Sequence, residues 1–160
     1  MSLALRNLLF TVIMPGTVAV YLPWLILTAS GAAPEPTGWP AVVLIGLGVA
    51  LYLWCLWLFA TLGRGTPGPW DAPRRVIDVG PYGLVRNPMY LAVFLVVTGE
   101  ALLFLSVPLL IYLGVVALVI QLFVVGYEEP TLTERFGDEY IAYLRRVPRW
   151  IPRPPRTRAV

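Results

Sequence analysis

The sequence contains no histidine and no lysine, so each of its twelve basic residues is an arginine. Without histidine, the commonest general base near neutral pH and the commonest metal ligand are both missing. The single cysteine, Cys55, can form neither an internal disulfide nor a thiolate metal cage. It lies inside an apolar run, where a free cysteine serves packing, and no metal site is expected. Charge is also scarce. Only 13% of residues are charged and 58% are hydrophobic, whereas roughly a quarter are charged in a soluble domain. With a mean hydropathy of +0.75, this excludes an ordinary soluble protein. The net charge of +3 is no nucleic-acid signal; its placement matters more than its size. Gly63-Arg64-Gly65 resembles a phosphate loop only superficially, because neither G-x-x-x-x-G-K-[ST] nor G-x-G-x-x-G is present. There is no internal repeat.

What is abundant is apolar sequence in long runs, with six tryptophans and eight tyrosines suited to interfacial belts. Runs at residues 8–29, 41–62, 88–107 and 109–126 predict an all-α integral membrane protein with about four transmembrane helices. Residues 1–160 are expected to form one membrane domain. The first run is too long for the apolar region of a signal peptide and is read as a retained helix. Pro15-Gly16 and Pro23 are expected to kink it. Ser106-Val107-Pro108 make a tight turn, so the third and fourth helices form an antiparallel hairpin. Beyond them, Thr131 and Glu134 fit a capping box. Phe136, Tyr140, Tyr143, Leu144 and Val147 recur at helical spacing. An amphipathic helix over 131–146 is therefore predicted along the membrane surface, followed by an extended proline-rich tail at 147–160.

Arginine placement gives a topology. Arg6 precedes the first helix, Arg64, Arg74, Arg75 and Arg86 lie between the second and third, and the remainder follow the fourth. The other two loops carry none. With four helices, the positive-inside rule places both termini, the loop 63–87 and the tail in the cytoplasm.

The polar chemistry gathers at the same level. GPYGLVRNPMY, residues 80–90, opens the third helix, with Pro88 in its first turn and Asn87 placed as N-cap. Free N–H groups beside Arg86 suit a carboxylate or phosphate, although a plain interfacial helix start has the same composition. Glu128-Glu129 close the fourth helix at a C-terminus, where negative charge needs cationic company. They fit a solvated helix end, or recognition of a cation or ribose hydroxyls. Glu100 lies about 18 Å along the third helix from Pro88, far from this cluster. Gln121 reads as an interhelical hydrogen bond. Arg145, Arg146 and Arg149 fit an anionic substrate or lipid headgroups.

GPYGLVRNPMYLA, an apolar span and YEEPTLTERFGDEYIAYLRRVPRWIP together resemble the integral-membrane methyltransferases. That group includes the isoprenylcysteine carboxyl methyltransferases and the phospholipid N-methyltransferases. The shared pattern is R-H-P-x-Y, then E-E, then F-G-x-x-Y-x-x-Y and a V-P-R-like run, over about residues 79–152. The resemblance implies S-adenosylmethionine as methyl donor, S-adenosylhomocysteine as product and a cytoplasmic pocket. It implies a lipophilic or membrane-partitioned acceptor, a carboxylate, thiol or lipid headgroup, among membrane lipids. Its candidate cofactor-binding residues are Gly80, Tyr82, Arg86, Asn87, Pro88, Tyr90, Glu128, Glu129, Tyr140 and Tyr143. Arg86, Asn87 and Arg146 are its catalytic candidates. Arg86 suits the cofactor carboxylate, the glutamates its ammonium or ribose, and the tyrosines its adenine or sulfonium.

Asn87 departs from the pattern, which has histidine there. Asparagine can donate and accept hydrogen bonds but cannot take up a proton. A chain without histidine leans toward acceptors that arrive already ionised. Two other readings stand beside methyl transfer. One is an NADPH-dependent membrane reductase related to the sterol reductases, which resemble this chain in R-H-P-x-Y and a tyrosine-rich tail. The other is a non-catalytic membrane scaffold with a degenerate pocket.

Overall fold

The computed structural model describes residues 3–34, 38–63 and 75–152, and these are all-helical with no strand. Arg64, Arg74, the loop around them and the tail from Arg153 onward lie outside the described residues.

Helix α1 (Leu3–Gly16) passes through one π-helical turn (Thr17–Tyr21) into α2 (Leu22–Ser30). This is the form the expected irregularity at Pro23 takes. Proline has no N–H to return to the preceding turn. Leu22, just before it, donates to Thr17 O in the wider π register. Val18 O, next in line, faces a proline and accepts from the Tyr112 hydroxyl at 2.8 Å. A carbonyl freed at bilayer depth needs such a partner.

Helix α3 (Trp39–Leu58) ends in a second π turn (Phe59–Gly63), and α4 (Pro81–Leu84) is a single turn before α5 (Pro88–Leu103). Helix α5 lies antiparallel to α3 at close range. A Cβ on Gly48 would stand 2.7 Å from Ala92 O, and one on Gly99 would stand 2.8 Å from Ala41 O. Only glycine lets the backbones approach this far, and such contacts drive helix association where water is absent. Ser106 is buried and its hydroxyl accepts from Leu109 N at 3.4 Å, starting α6 (Val107–Phe123) directly after the turn.

Helix α6 continues through a third π turn (Val124–Glu128) into α7 (Glu129–Phe136). The device of Pro23 recurs before Pro130: Glu129 N–H donates to Val124 O. The predicted helix over 131–146 is thus divided. Its first part continues the α6 rod, and Thr131 is no cap, because its hydroxyl donates to Tyr127 O within the helix. Gly137, at φ +55°, breaks the rod before α8 (Asp138–Arg146), a conformation a side chain would strain. The apolar face of α8 packs on protein. Tyr140, Tyr143 and Val147 are buried against Val76, Leu132, Phe136 and Leu144.

Among the described residues three rods are long and apolar enough to cross a membrane, Leu5–Ser30, Trp39–Gly63 and Val107–Phe136. Helix α5 has 16 residues, about 24 Å of rise, less than the roughly 30 Å of a hydrocarbon core. The outer faces are apolar, as at Trp57, Ile111, Leu118 and Leu122, a surface suited to hydrocarbon.

Candidate functional site

The end of α3, the segment before α4, the start of α5, α7 and α8 meet at one end of the bundle. They line a cleft open to solvent. Its aromatic walls are Phe59, Tyr82, Phe136, Tyr140 and Tyr143, with Val76, Ile77 and Leu132 between them. Its polar groups are Arg75, Arg86, Asn87 and Glu128. An apolar cleft with a few convergent polar groups is the usual form of a small-molecule site.

Local structure explains each placement. Gly80, at φ +59°, turns the chain into α4 against Trp54 and Leu58, where a Cβ would sit 3.3 Å from both side chains. Tyr82 then packs edge-on against Phe59, with ring centroids 5.7 Å apart. Its carbonyl accepts from the Tyr143 hydroxyl at 2.8 Å, which ties α8 to α4. Burial pushes the phenols of Tyr82, Tyr140 and Tyr143 up, so they are neutral at physiological pH.

The segments that the sequence pattern links are brought together in space. Tyr90 donates to Glu128 Oε2 at 2.8 Å. Arg86 Nη1 donates to Glu129 Oε1 at 2.7 Å, while Arg86 Nε is buried without a partner among the described residues. Asn87 stands at the N-cap position of α5, yet its side chain makes no capping bond. Its Nδ2 donates to Arg149 O at 3.2 Å, beside the backbone bond from Arg86 N to Pro148 O at 2.8 Å. The asparagine expected to cap a helix therefore anchors the tail.

Gly80, Pro88, Tyr90 and Glu129 stand behind the cleft wall rather than on it. Arg146 lies outside it, paired with Asp78 at 3.0 Å with both side chains about half exposed, an arrangement that contributes little. Phe59, Arg75, Leu132 and Phe136 are in the wall although the sequence did not single them out as site residues. Arg149, which the sequence offered to an anionic substrate or lipid headgroups, is engaged within the protein. Its Nε and Nη2 grip Glu129 Oε1 and Oε2 at 2.8 and 2.9 Å, and this contact holds the guanidinium above the usual arginine range. Its partner is thus a carboxylate of the protein itself.

The phospholipid methyltransferase family model matches residues 37–139, more than half of the chain. The chain belongs to the phospholipid methyltransferase family. No curated protein and no solved structure matches it. The match covers α3, the start of α5 and both glutamates, and ends just before Tyr140. As a member of a phospholipid methyltransferase family with three membrane-length apolar rods, the chain is an integral membrane protein of methyltransferase type.

Proposed function

We propose that the cleft binds S-adenosylmethionine and that the chain transfers its methyl group to a lipophilic acceptor at the cytoplasmic membrane face. The observation that carries this reading is a pair of unspent polar groups in one aromatic cleft. Arg86 lines the cleft, and its buried Nε has no partner among the described residues. Glu128 has one oxygen bonded to Tyr90 and Oε1 unbonded among the described residues. A zwitterionic amino-acid group needs both a cationic donor and an anionic acceptor. The aromatic walls suit adenine stacking and a sulfonium, which ring faces attract.

S-adenosylmethionine would supply an electrophilic methyl on sulfur. The chain's part is to hold that carbon in line with the acceptor and to keep water away. Asn87 supplies no base, because its amide is engaged with the tail and cannot take up a proton. An acceptor that arrives ionised needs none. This favours a carboxylate or thiolate, as in an isoprenylcysteine-type substrate, over an ammonium headgroup.

In this reading α5 is the fourth membrane traverse. The starts of α1 and α5 and the ends of α3 and α7 then face the cytoplasm. In the described residues Arg6, Arg75, Arg86, Arg135, Arg145, Arg146 and Arg149 lie at or beyond those ends. The connections after α2 and α5 carry no arginine, as the positive-inside rule requires.

Titration calorimetry of the purified protein in lipid nanodiscs tests the cofactor. S-adenosylmethionine and S-adenosylhomocysteine bind, and NADPH does not. Binding of NADPH alone would overturn the reading in favour of a reductase, and binding of none in favour of a scaffold.

A further inference from the structure

Glu128 and Glu129 are interchangeable on paper, but the fold separates them. The π turn ends at Glu128 and α7 begins at Glu129, and consecutive helical residues point about 100° apart. Glu128 faces the cleft and is bonded only through Oε2. Glu129 faces the tail. Its Oε1 accepts from Arg86 Nη1 and Arg149 Nε, and its Oε2 accepts from Arg149 Nη2. Its side chain is 14% exposed and that of Arg86 is 12% exposed. A ligand ammonium would have to displace a bidentate guanidinium to reach it.

We propose that Glu129 is a positioning residue, which pins Arg86 and Arg149 together so that only Glu128 of the pair meets the ligand. On one side it takes up Arg86 Nη1, and Arg86 Nε is the donor left unspent in the cleft wall. On the other side it straps residues 147–150 across the start of α5. The strap continues through Asn87 Nδ2 on Arg149 O. Trp150 donates from Nε1 to Gln121 Oε1 at 2.7 Å, and its ring packs on Tyr90 and Phe94 at centroid distances of 6.4 and 5.9 Å. Tyr90 is the residue that bonds Glu128. Glu129 thus governs both cleft groups at one remove, Arg86 directly and Glu128 through Arg149, Trp150 and Tyr90. Without its carboxylate, two guanidiniums would face each other with no counter-charge, and the exposed end of the pair, the tail, would leave.

The inference rests on the cofactor reading, so its test carries two readouts on the full chain in nanodiscs. One is calorimetric affinity for S-adenosylhomocysteine. The other is hydrogen exchange of the backbone at 147–152. Glu128→Gln should weaken binding about tenfold or more with tail exchange unchanged. Glu129→Gln should speed tail exchange about tenfold and weaken binding about three- to tenfold. Arg149→Ala should reproduce both effects, and the double variant should fall short of their sum, as coupled partners do. Loss of affinity in Glu129→Gln with an unchanged tail would make Glu129 a ligand and overturn the proposal. A loosened tail with unchanged affinity would overturn it too, leaving a purely structural bridge. If the wild type binds no S-adenosylhomocysteine, the cofactor reading fails, and the exchange cycle still decides the strap.

Discussion

Asn87 shows how a single side chain can change task within an otherwise retained pattern. Where the family pattern has histidine, its amide holds a backbone carbonyl of the tail. Asn87→Ala should therefore loosen the tail and cost about 1 kcal/mol, a typical net hydrogen bond, measured by thermal unfolding in detergent. Tyr143 is the stronger case, because its bond to Tyr82 O is buried. Tyr143→Phe leaves that carbonyl without its partner and should cost about 1–3 kcal/mol in the same measurement. The raised phenols of Tyr82, Tyr140 and Tyr143 add a pH dependence. Their folded pKa values lie above the unfolded value of about 10. Their contribution to stability is complete below that value and is lost as pH rises through the folded values. Thermal scans at pH 8 and pH 11 should show the drop, and the Tyr143→Phe variant should lose less.

At the scale of elements, the α3–α5 contact holds the middle of the bundle and the π turns set the site. Gly99→Val would place side-chain atoms where Ile45 Cγ1 is already 2.6 Å from an added Cβ. It should destabilise by about 1–3 kcal/mol or force the helices apart. Gly114→Ala in α6 meets nothing within 4 Å and is the matched control, expected to be neutral or slightly stabilising through helix propensity. The turn at Val124–Glu128 has the larger functional consequence. It inserts a wider turn just before Pro130 and carries the α6 rod on into α7, with Glu128 and Glu129 at the junction. The prolines were legible in the sequence as irregularities. The form of the irregularity was not, because a π turn depends on which carbonyls find outside partners, as Val18 O does in Tyr112. The division of 131–146 had a visible sign in Gly137, but periodicity ran straight across it. Tyr140 and Tyr143 keep the same spacing whether they face lipid or protein.

For the whole molecule, the proposed four-traverse arrangement puts the start of α1, the cleft and residues 147–152 on one side of the membrane. Cys55 is fully buried, so a Cys55→Ala background gives a clean chain for labelling. In it, Ala33→Cys, after α2, should react with a membrane-impermeant maleimide on intact cells. Arg145→Cys, on α8, should react only after permeabilisation. The reverse pattern would invert the topology.

The sequence alone determined the membrane class and the apolar rods, and it named most of the polar and aromatic residues that meet at one end of the bundle. Hydropathy and residue chemistry are local properties that survive without coordinates. The family signature lay in the same letters, since Arg86, Asn87, Pro88, Tyr90 and the two glutamates sit in short linear motifs. Tertiary structure decided what those residues face. Arg149 and Trp150 reach the site only because the chain returns after α8 to the start of α5. Glu128 and Glu129 part company because neighbouring helical residues point about 100° apart, and the fold sets the cleft on one side and two arginines on the other. Burial, partnering and direction arise from segments far apart in the chain, and no window along it contains them.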